Sequence, residues 1–199
     1  MHIMFYCNKY LLKRISSIQS GYSIRGKIPE DHNGELKIIR MKDIDPENGI
    51  DWDNIASINP VSKRTPLFLK QSDIIFSGRG TKVFSVAVDR NIEKIVAAPH
   101  FFVINPYNNL VNSFYLSWYI NQNIAQKYFK KNAGSSIIIN VKRKVLEELP
   151  VLLPSLQEQE KITKYIRAIK KEHDIGQKLY RKKNQLLTAI ISQTKPEEK

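Results

Sequence analysis

The sequence predicts an α/β or α+β domain followed by one long C-terminal helix of coiled-coil type. Three observations carry this. Short apolar runs of strand character alternate with helical stretches as far as Leu149. Pro154 is followed by Ser155 and, three residues on, by Glu158, which reads as a helix start with a capping box. From there no proline intervenes until Pro196, a run of about 38 residues, or about 57 Å at 1.5 Å per residue. Residues 1–153 are therefore read as the domain and 154–195 as the helix.

In chain order, Tyr10–Ser20 has apolar residues at Leu11, Leu12, Ile15 and Ile18, the spacing of a short amphipathic helix stopped by Gly21. Gly21–Glu35 is a polar loop with a basic tip at Arg25 and Lys27. Leu36–Met41 reads as a strand. Asp43–Asp53 is rich in acids, glycine and asparagine and reads as turns. Leu67–Ser77 holds a buried strand, and Val83–Val88 alternates as a second one. Between them Gly78-Arg79-Gly80-Thr81-Lys82 forms a glycine hairpin. Lys94–Ala98 and His100–Ile104 are further strands around Pro99. Val111–Asn132 is helical with a basic end, Gly134-Ser135-Ser136 breaks it, and Ile137–Ile139 gives a short strand. Val141–Leu149 is a short basic helix or turn.

The long helix carries a seam. Ile162, Ile166 and Ile169 follow the alternating four- and three-residue steps of a coiled coil. The rhythm weakens at His173, Gly176 and Lys183 and resumes, slightly shifted, at Leu179, Leu186, Leu187 and Ile190. The other faces are basic. Such a helix pairs with another subunit's helix, or packs as a solvated amphipathic helix on its own domain.

Composition narrows the class. Hydrophobic residues make up 42% of the 199 positions, enough for a folded core. Thirty-two Lys and Arg stand against 19 acids, a net charge of +13, which favours a polyanionic partner, most simply nucleic acid. No apolar run approaches the length of a membrane span, and Met1–Lys9 lacks the order of a signal peptide. Cys7 is the single cysteine, so neither a disulfide framework nor a cysteine zinc site is expected, and a cytoplasmic location is the default.

Catalytic and metal motifs fail on inspection. The acids from Asp43 suggest a calcium loop, but its sixth residue is Asn48 and its twelfth Asn54, where glycine and glutamate are needed. Gly78-Arg79-Gly80 lies between two strands, and the third glycine of a dinucleotide fingerprint would fall at Val83. The four histidines show no metal-ligand spacing, and no serine sits in a nucleophile elbow. No Asn-Pro-Pro-aromatic methyltransferase tetrapeptide occurs. What remains is recognition. Arg79, Thr81 and Lys82 put two cations and a hydroxyl on a hairpin that can approach a nucleic-acid backbone, and arginine can pair bidentately with guanine. A plain glycine turn with exposed charges is the competing reading of the same residues.

Several stretches then align with a known family. They are Ile18-Gln19-Ser20-Gly21; Ile39-Arg40-Met41-Lys42-Asp43-Ile44 with Gly49-Ile50; Asp73-Ile74-Ile75-Phe76-Ser77-Gly78-Arg79-Gly80-Thr81; and Gly134-Ser135-Ser136 leading through Leu149-Pro150-Val151 to Leu156-Gln157-Glu158-Gln159-Glu160-Lys161-Ile162. In these the chain resembles the specificity (S) subunits of type I restriction–modification systems. The resemblance implies a target recognition domain that reads one half of a bipartite double-stranded DNA sequence, and a helix that packs against a second such helix and sets the half-site spacing. It implies a non-catalytic chain that scaffolds a methyltransferase subunit and a restriction/translocase subunit. S-adenosylmethionine, ATP and magnesium are then expected on those partners and no cofactor or metal on this chain. The DNA-contacting residues expected from this are Arg79, Thr81 and Lys82, with Arg25, Lys27, Arg64 and Ser135 behind them. The expected helix interface is Ile162, Ile166, Ile169, Leu179, Leu186 and Ile190. Typical members have two recognition domains and two helices; one of each here suggests a homodimer through the helix, or a fragment. The rival readings are a small metal-dependent nuclease using the Asp43–Asp53 acids, and a coiled-coil adaptor that binds no DNA.

Overall fold

A computed structural model of the chain describes residues 7–24, 30–60, 65–133 and 138–193. In order they form β1 (Asn8–Leu11), a single turn α1 (Leu12–Ile15), β2 (Ser16–Ser20), β3 (Leu36–Ile39), β4 (Ile44–Asp45), β5 (Gly49–Ile50) and β6 (Ala56–Ile58). Then come β7 (Ile74–Ser77), β8 (Arg79–Gly80), β9 (Phe84–Ala87), β10 (Ile95–Ala97) and β11 (Phe101–Pro106). The chain continues with α2 (Ser113–Asn121), α3 (Asn123–Asn132), β12 (Ile139–Asn140), α4 (Arg143–Glu147), β13 (Pro150–Leu153) and α5 (Leu156–Gln193). It divides into two compact units, one ending at Gln159 and the other beginning at Glu160.

The first unit is built around β7. All four of its residues are buried, and it lies between β11 and β9 in an antiparallel sheet of order β2-β11-β7-β9. Side chains of a strand alternate faces. Ile75 joins a core with Ile38, Ile39, Val88, Val96, Phe101 and Val103, over the second sheet, β10-β3-β6. Phe76 points to the opposite face and meets Phe129 of α3 at 5.4 Å between ring centres. The central sheet is thus covered on both faces, which is why β7 is apolar without alternation.

Two sequence expectations are corrected. Tyr10–Ser20 is not a helix. Only Leu12–Ile15 makes a turn; Ser16–Ser20 pairs with Phe102–Pro106, and Asn8–Leu11 pairs with Pro150–Leu153. The apolar spacing there suits a helix, but pairing with distant strands outweighs local preference. Val111–Asn132 is two helices rather than one. Asn112 caps α2 by accepting the Phe114 and Tyr115 N–H groups, and Gln122 is extended, ending α2 before α3 begins. The side chains of Gln122 and Gln126 donate to the carbonyls of Trp118 and Ile120, which the break leaves without helical partners.

Tyrosines tie α2 and α3 to the elements after them in the chain. Tyr115 and Tyr119 donate to the carbonyls of Leu152 and Pro150 in β13, and Tyr128 donates to that of Val145 in α4. The long helix starts as its sequence suggests. The Ser155 N–H donates to the Glu158 carboxylate at 3.0 Å and the Glu158 N–H to Ser155 Oγ at 3.3 Å. Gln159, fully buried, accepts the Asn112 N–H and donates to the carbonyls of Leu110 and Pro154.

Candidate nucleic-acid interface

The glycine loop joins the antiparallel hairpin β7–β9, where Ser77 pairs with Phe84. It is more than a free turn. Arg79 and Gly80 form β8 and pair with Asn140 and Ile139 of β12. The Val141 N–H donates to the Gly78 carbonyl at 2.7 Å. Gly78 is buried, and a Cβ there would come within 3.1 Å of the Phe76 ring and 3.2 Å of the Val141 carbonyl. Gly80 has φ +148°, a region that favours glycine. Both glycines therefore have backbone reasons, and the side chains between and beyond them are free to face outward. Arg79, Thr81 and Lys82 are all exposed.

The surroundings grade these side chains. Lys82 lines a cleft with Asp45, Pro46, Glu47, Phe84 and Asn121, so two acids share its surroundings. Arg79 lies on the other flank, opposite Asn140. β12 leads into Lys142, Arg143 and Lys144 at the start of α4, and the Tyr128 bond holds α3, with Lys130 and Lys131 in its last turn, against the same helix. Arg143 is paired with Glu147 at 2.7 Å. Sequence alone does not single out Asn140, Lys142 and Lys144; only the β8–β12 pairing, which joins residues about sixty positions apart, brings them to Arg79. Arg25, Lys27, Arg64 and Ser135 lie outside the described residues.

The acid-rich stretch has structural duties. Asp43 is buried and accepts from Arg40 N at 2.8 Å and from Arg40 Nε at 3.0 Å. Glu30 also pairs with Arg40, and the two carboxylates hold the guanidinium above its ordinary pKa, the Asp43 hydrogen bond contributing most. Asp45 accepts the N–H groups of Glu47 and Asn48 and so shapes its own turn. Asp51 does the same for Asp53 and also accepts from the Asn54 side chain. Among the described residues, no three His, Cys, Asp or Glu side chains converge to hold a metal ion.

On α5, Ile162 and Ile166 are half-buried, while Ile169, Leu179, Leu186 and Ile190 are exposed. At about 100° per residue Leu179 and Leu186 fall roughly 80–100° from the line through Ile169. Tyr165, Tyr180, Leu187 and Ile191 lie nearer that line and are each more than half exposed. Heptad steps pass over Tyr165, Tyr180 and Ile191; the helical angles bring them in. No helix among the described residues is long and apolar enough to cross a membrane.

Comparison with known proteins gives a consistent picture. The model of the family described as type I restriction modification DNA specificity domain matches residues 7–186. No curated protein matches the chain. The S subunit of a type I restriction–modification system from M. genitalium superposes with a TM-score of 0.58 at 12% identity, over 94% of this chain and 45% of that one. The HsdS subunit of Thermoanaerobacter tengcongensis gives 0.61 at 15% identity, over 97% and 51%. A chain from a structural study of complex assembly and conformational transition in the type I R-M system gives 0.64 at 13% identity, over 92% and 43%. The chain thus spans about half the length of the solved structures it matches.

Proposed function

We propose a function from one premise: this chain belongs to the family of type I restriction modification DNA specificity domains. It reads one half-site of a double-stranded DNA target, and its long helix joins it to a second copy. Residues 1–153 act as the target recognition domain and 154–195 as the spacing and docking helix. The assembled pair scaffolds a methyltransferase subunit and a restriction/translocase subunit in the cytoplasm. The chain itself is not catalytic. S-adenosylmethionine, ATP and magnesium act on the partner subunits.

The observation that carries the reading is the pinned glycine loop. Its backbone is fixed by β12 and by Val141, and its outward side chains are Arg79, Thr81 and Lys82. A rigid platform with exposed donors is what base-edge readout needs, because each hydrogen bond must be held in geometry. The net charge of +13 supports salt-dependent phosphate contacts. The nuclease reading is weaker, since Asp43 is consumed by Arg40 and Asp45 and Asp51 by their own turns.

The exposed apolar line on α5 favours a homodimer over a lone domain. Two-fold pairing gives inverted identical half-sites. The test is anisotropy of a labelled duplex pool with the full chain at increasing salt. Affinity that falls linearly on a log–log plot supports the reading; an absence of duplex binding at low salt favours the adaptor. Cutting of DNA by the purified chain with magnesium, abolished by Asp51→Ala or Asp53→Ala, would favour the nuclease.

A further inference from the structure

The clamp between β8 and β12 is made by backbone groups, so it does not dictate which side chains stand on it. Ile139 has a packing reason, because it is buried. Arg79 and Asn140 have none. Both are exposed, and no hydrogen bond or ion pair ties either side chain to another described residue. Asparagine is also a poor strand former. The contrast is Asn121, whose amide is used on both backbone groups of Ser85.

The register brings these two side chains together. Arg79 and Asn140 are directly opposite in an antiparallel ladder, so they project from the same face. The Val141 N–H donates to the Gly78 carbonyl, which the register places opposite it. The next pair, Arg79 and Asn140, is therefore of the non-hydrogen-bonded kind, with Cα atoms about 4.5 Å apart. Successive base pairs of a duplex are about 3.4 Å apart. Two side chains at this separation suit neighbouring base pairs, and the major groove admits a two-stranded ribbon.

The chemistry of the pair favours base edges over phosphates. A phosphate surface would be served by a second cation, and exposed Lys142 and Lys144 follow close behind for that purpose. Position 140 instead holds a neutral amide, with one donor group and one acceptor in a plane. That pattern matches N7 and the N6 amino group of adenine, as the two parallel donors of arginine match O6 and N7 of guanine.

Resting on the reading of this chain as a duplex-reading domain, we propose that Arg79 and Asn140 act as paired base readers in the major groove, Arg79 on a guanine and Asn140 on the adenine of the adjacent base pair. Each half-site then holds a G·C pair next to an A·T pair. Asn140 is the specificity-determining residue that the folded chain adds to the glycine loop.

The test uses the full chain and the duplex it selects from a randomised pool. Anisotropy is read for the parent, Arg79→Ala and Asn140→Ala against every single-base change in the motif. The expected motif contains adjacent G·C and A·T pairs, each preferred by the parent roughly 5–150-fold. Arg79→Ala should lose the preference at the G·C pair alone, and Asn140→Ala at the A·T pair alone. A second measurement leaves the protein untouched. Replacing that adenine by 7-deazaadenine, which lacks the N7 acceptor, should weaken the parent at least five-fold and leave Asn140→Ala unchanged. A motif without the adjacent pairs, Asn140→Ala that keeps the preference for adenine, variants that weaken all sequences alike, or parent binding unmoved by 7-deazaadenine would each overturn the pairing of readers while leaving duplex reading standing. No enriched motif at all would overturn both.

Discussion

Asn121 holds the outer edge of the central sheet: its side-chain amide accepts the Ser85 N–H at 2.8 Å and donates to the Ser85 carbonyl at 2.9 Å. β9 is the last strand of its sheet, so these two backbone groups have no neighbouring strand. The amide of Asn121 stands in for one, and α2 thereby covers an edge that would otherwise template aggregation. Asn121→Leu leaves both groups without that partner and should cost about 1–3 kcal/mol, read by urea unfolding. It should also raise the tendency to aggregate, read by light scattering on heating.

Gln159 makes a sharper case. Within Leu156–Ile162 it is the fully buried member, with three hydrogen bonds to Asn112, Leu110 and Pro154. Gln159→Leu keeps the bulk and removes every polar partner. It should destabilise the first unit by about 2–4 kcal/mol, from stranded backbone groups rather than lost volume. Gln157→Leu, on an exposed position, should change stability by less than about 0.5 kcal/mol. A chain shortened to Leu153 would lose Gln159, so substitutions on α5 are cleaner probes of pairing than truncation.

These residues mark how far the sequence could be read. The helix start at Ser155 and Glu158 was legible because capping is local, and β7 because the apolar run Ile74-Ile75-Phe76 admits few other uses. Gln159 was visible as part of a motif, but its burial depends on Asn112, 47 residues away. Tyr10–Ser20 misled because helical spacing is a local signal, whereas its pairing with β11 and β13 spans most of the chain. The glycine loop was legible as a hairpin. A short strand at Ile137–Ile139, which overlaps β12 at Ile139, was also read, but its pairing with β8, the second clamp on the loop, was not, because that contact joins residues about sixty positions apart.

The clamp predicts the behaviour of two glycines. Gly78→Ala brings a methyl group against Phe76 and Val141 and should cost about 1–3 kcal/mol through overpacking. Gly21→Ala should be worse, because its Cβ would overlap the backbone carbonyl of Ala98, which cannot swing away. Thermal unfolding of the two variants orders them, with Gly21→Ala the less stable.

Asp73 gives a pH signature. It is buried beneath the β7 turn, where it accepts the Lys70 N–H and the Asn105 amide, each at 2.8 Å. Burial raises its carboxyl above the ordinary 3.8, and the hydrogen bonds offset this only in part. The native state therefore holds the proton more tightly than the unfolded state. Asp73's contribution to stability is full below pH 3.8 and declines as pH rises through the native value. The stability of the parent relative to Asp73→Asn should fall as pH rises above 3.8, measured by urea unfolding. A constant difference would mean that the carboxyl is not perturbed.

Arg79 separates the two ways a cation can serve on DNA. Arg79→Ala should lower affinity for the selected target. If Arg79 reads a base edge, discrimination at one position falls by about 1–3 kcal/mol with little change in salt slope. If it holds phosphate, affinity falls alike for all sequences and the slope drops by about one. Lys82→Ala should have the smaller effect, because Asp45 and Glu47 share its cleft.

The central claim is sequence-specific reading of duplex DNA by a two-fold pair. Selection of bound duplexes from a randomised pool by the full chain, followed by sequencing, tests it most directly. The expected result is enrichment of one short motif present twice as an inverted repeat at a fixed separation. A bound fraction as diverse as the starting pool would contradict it.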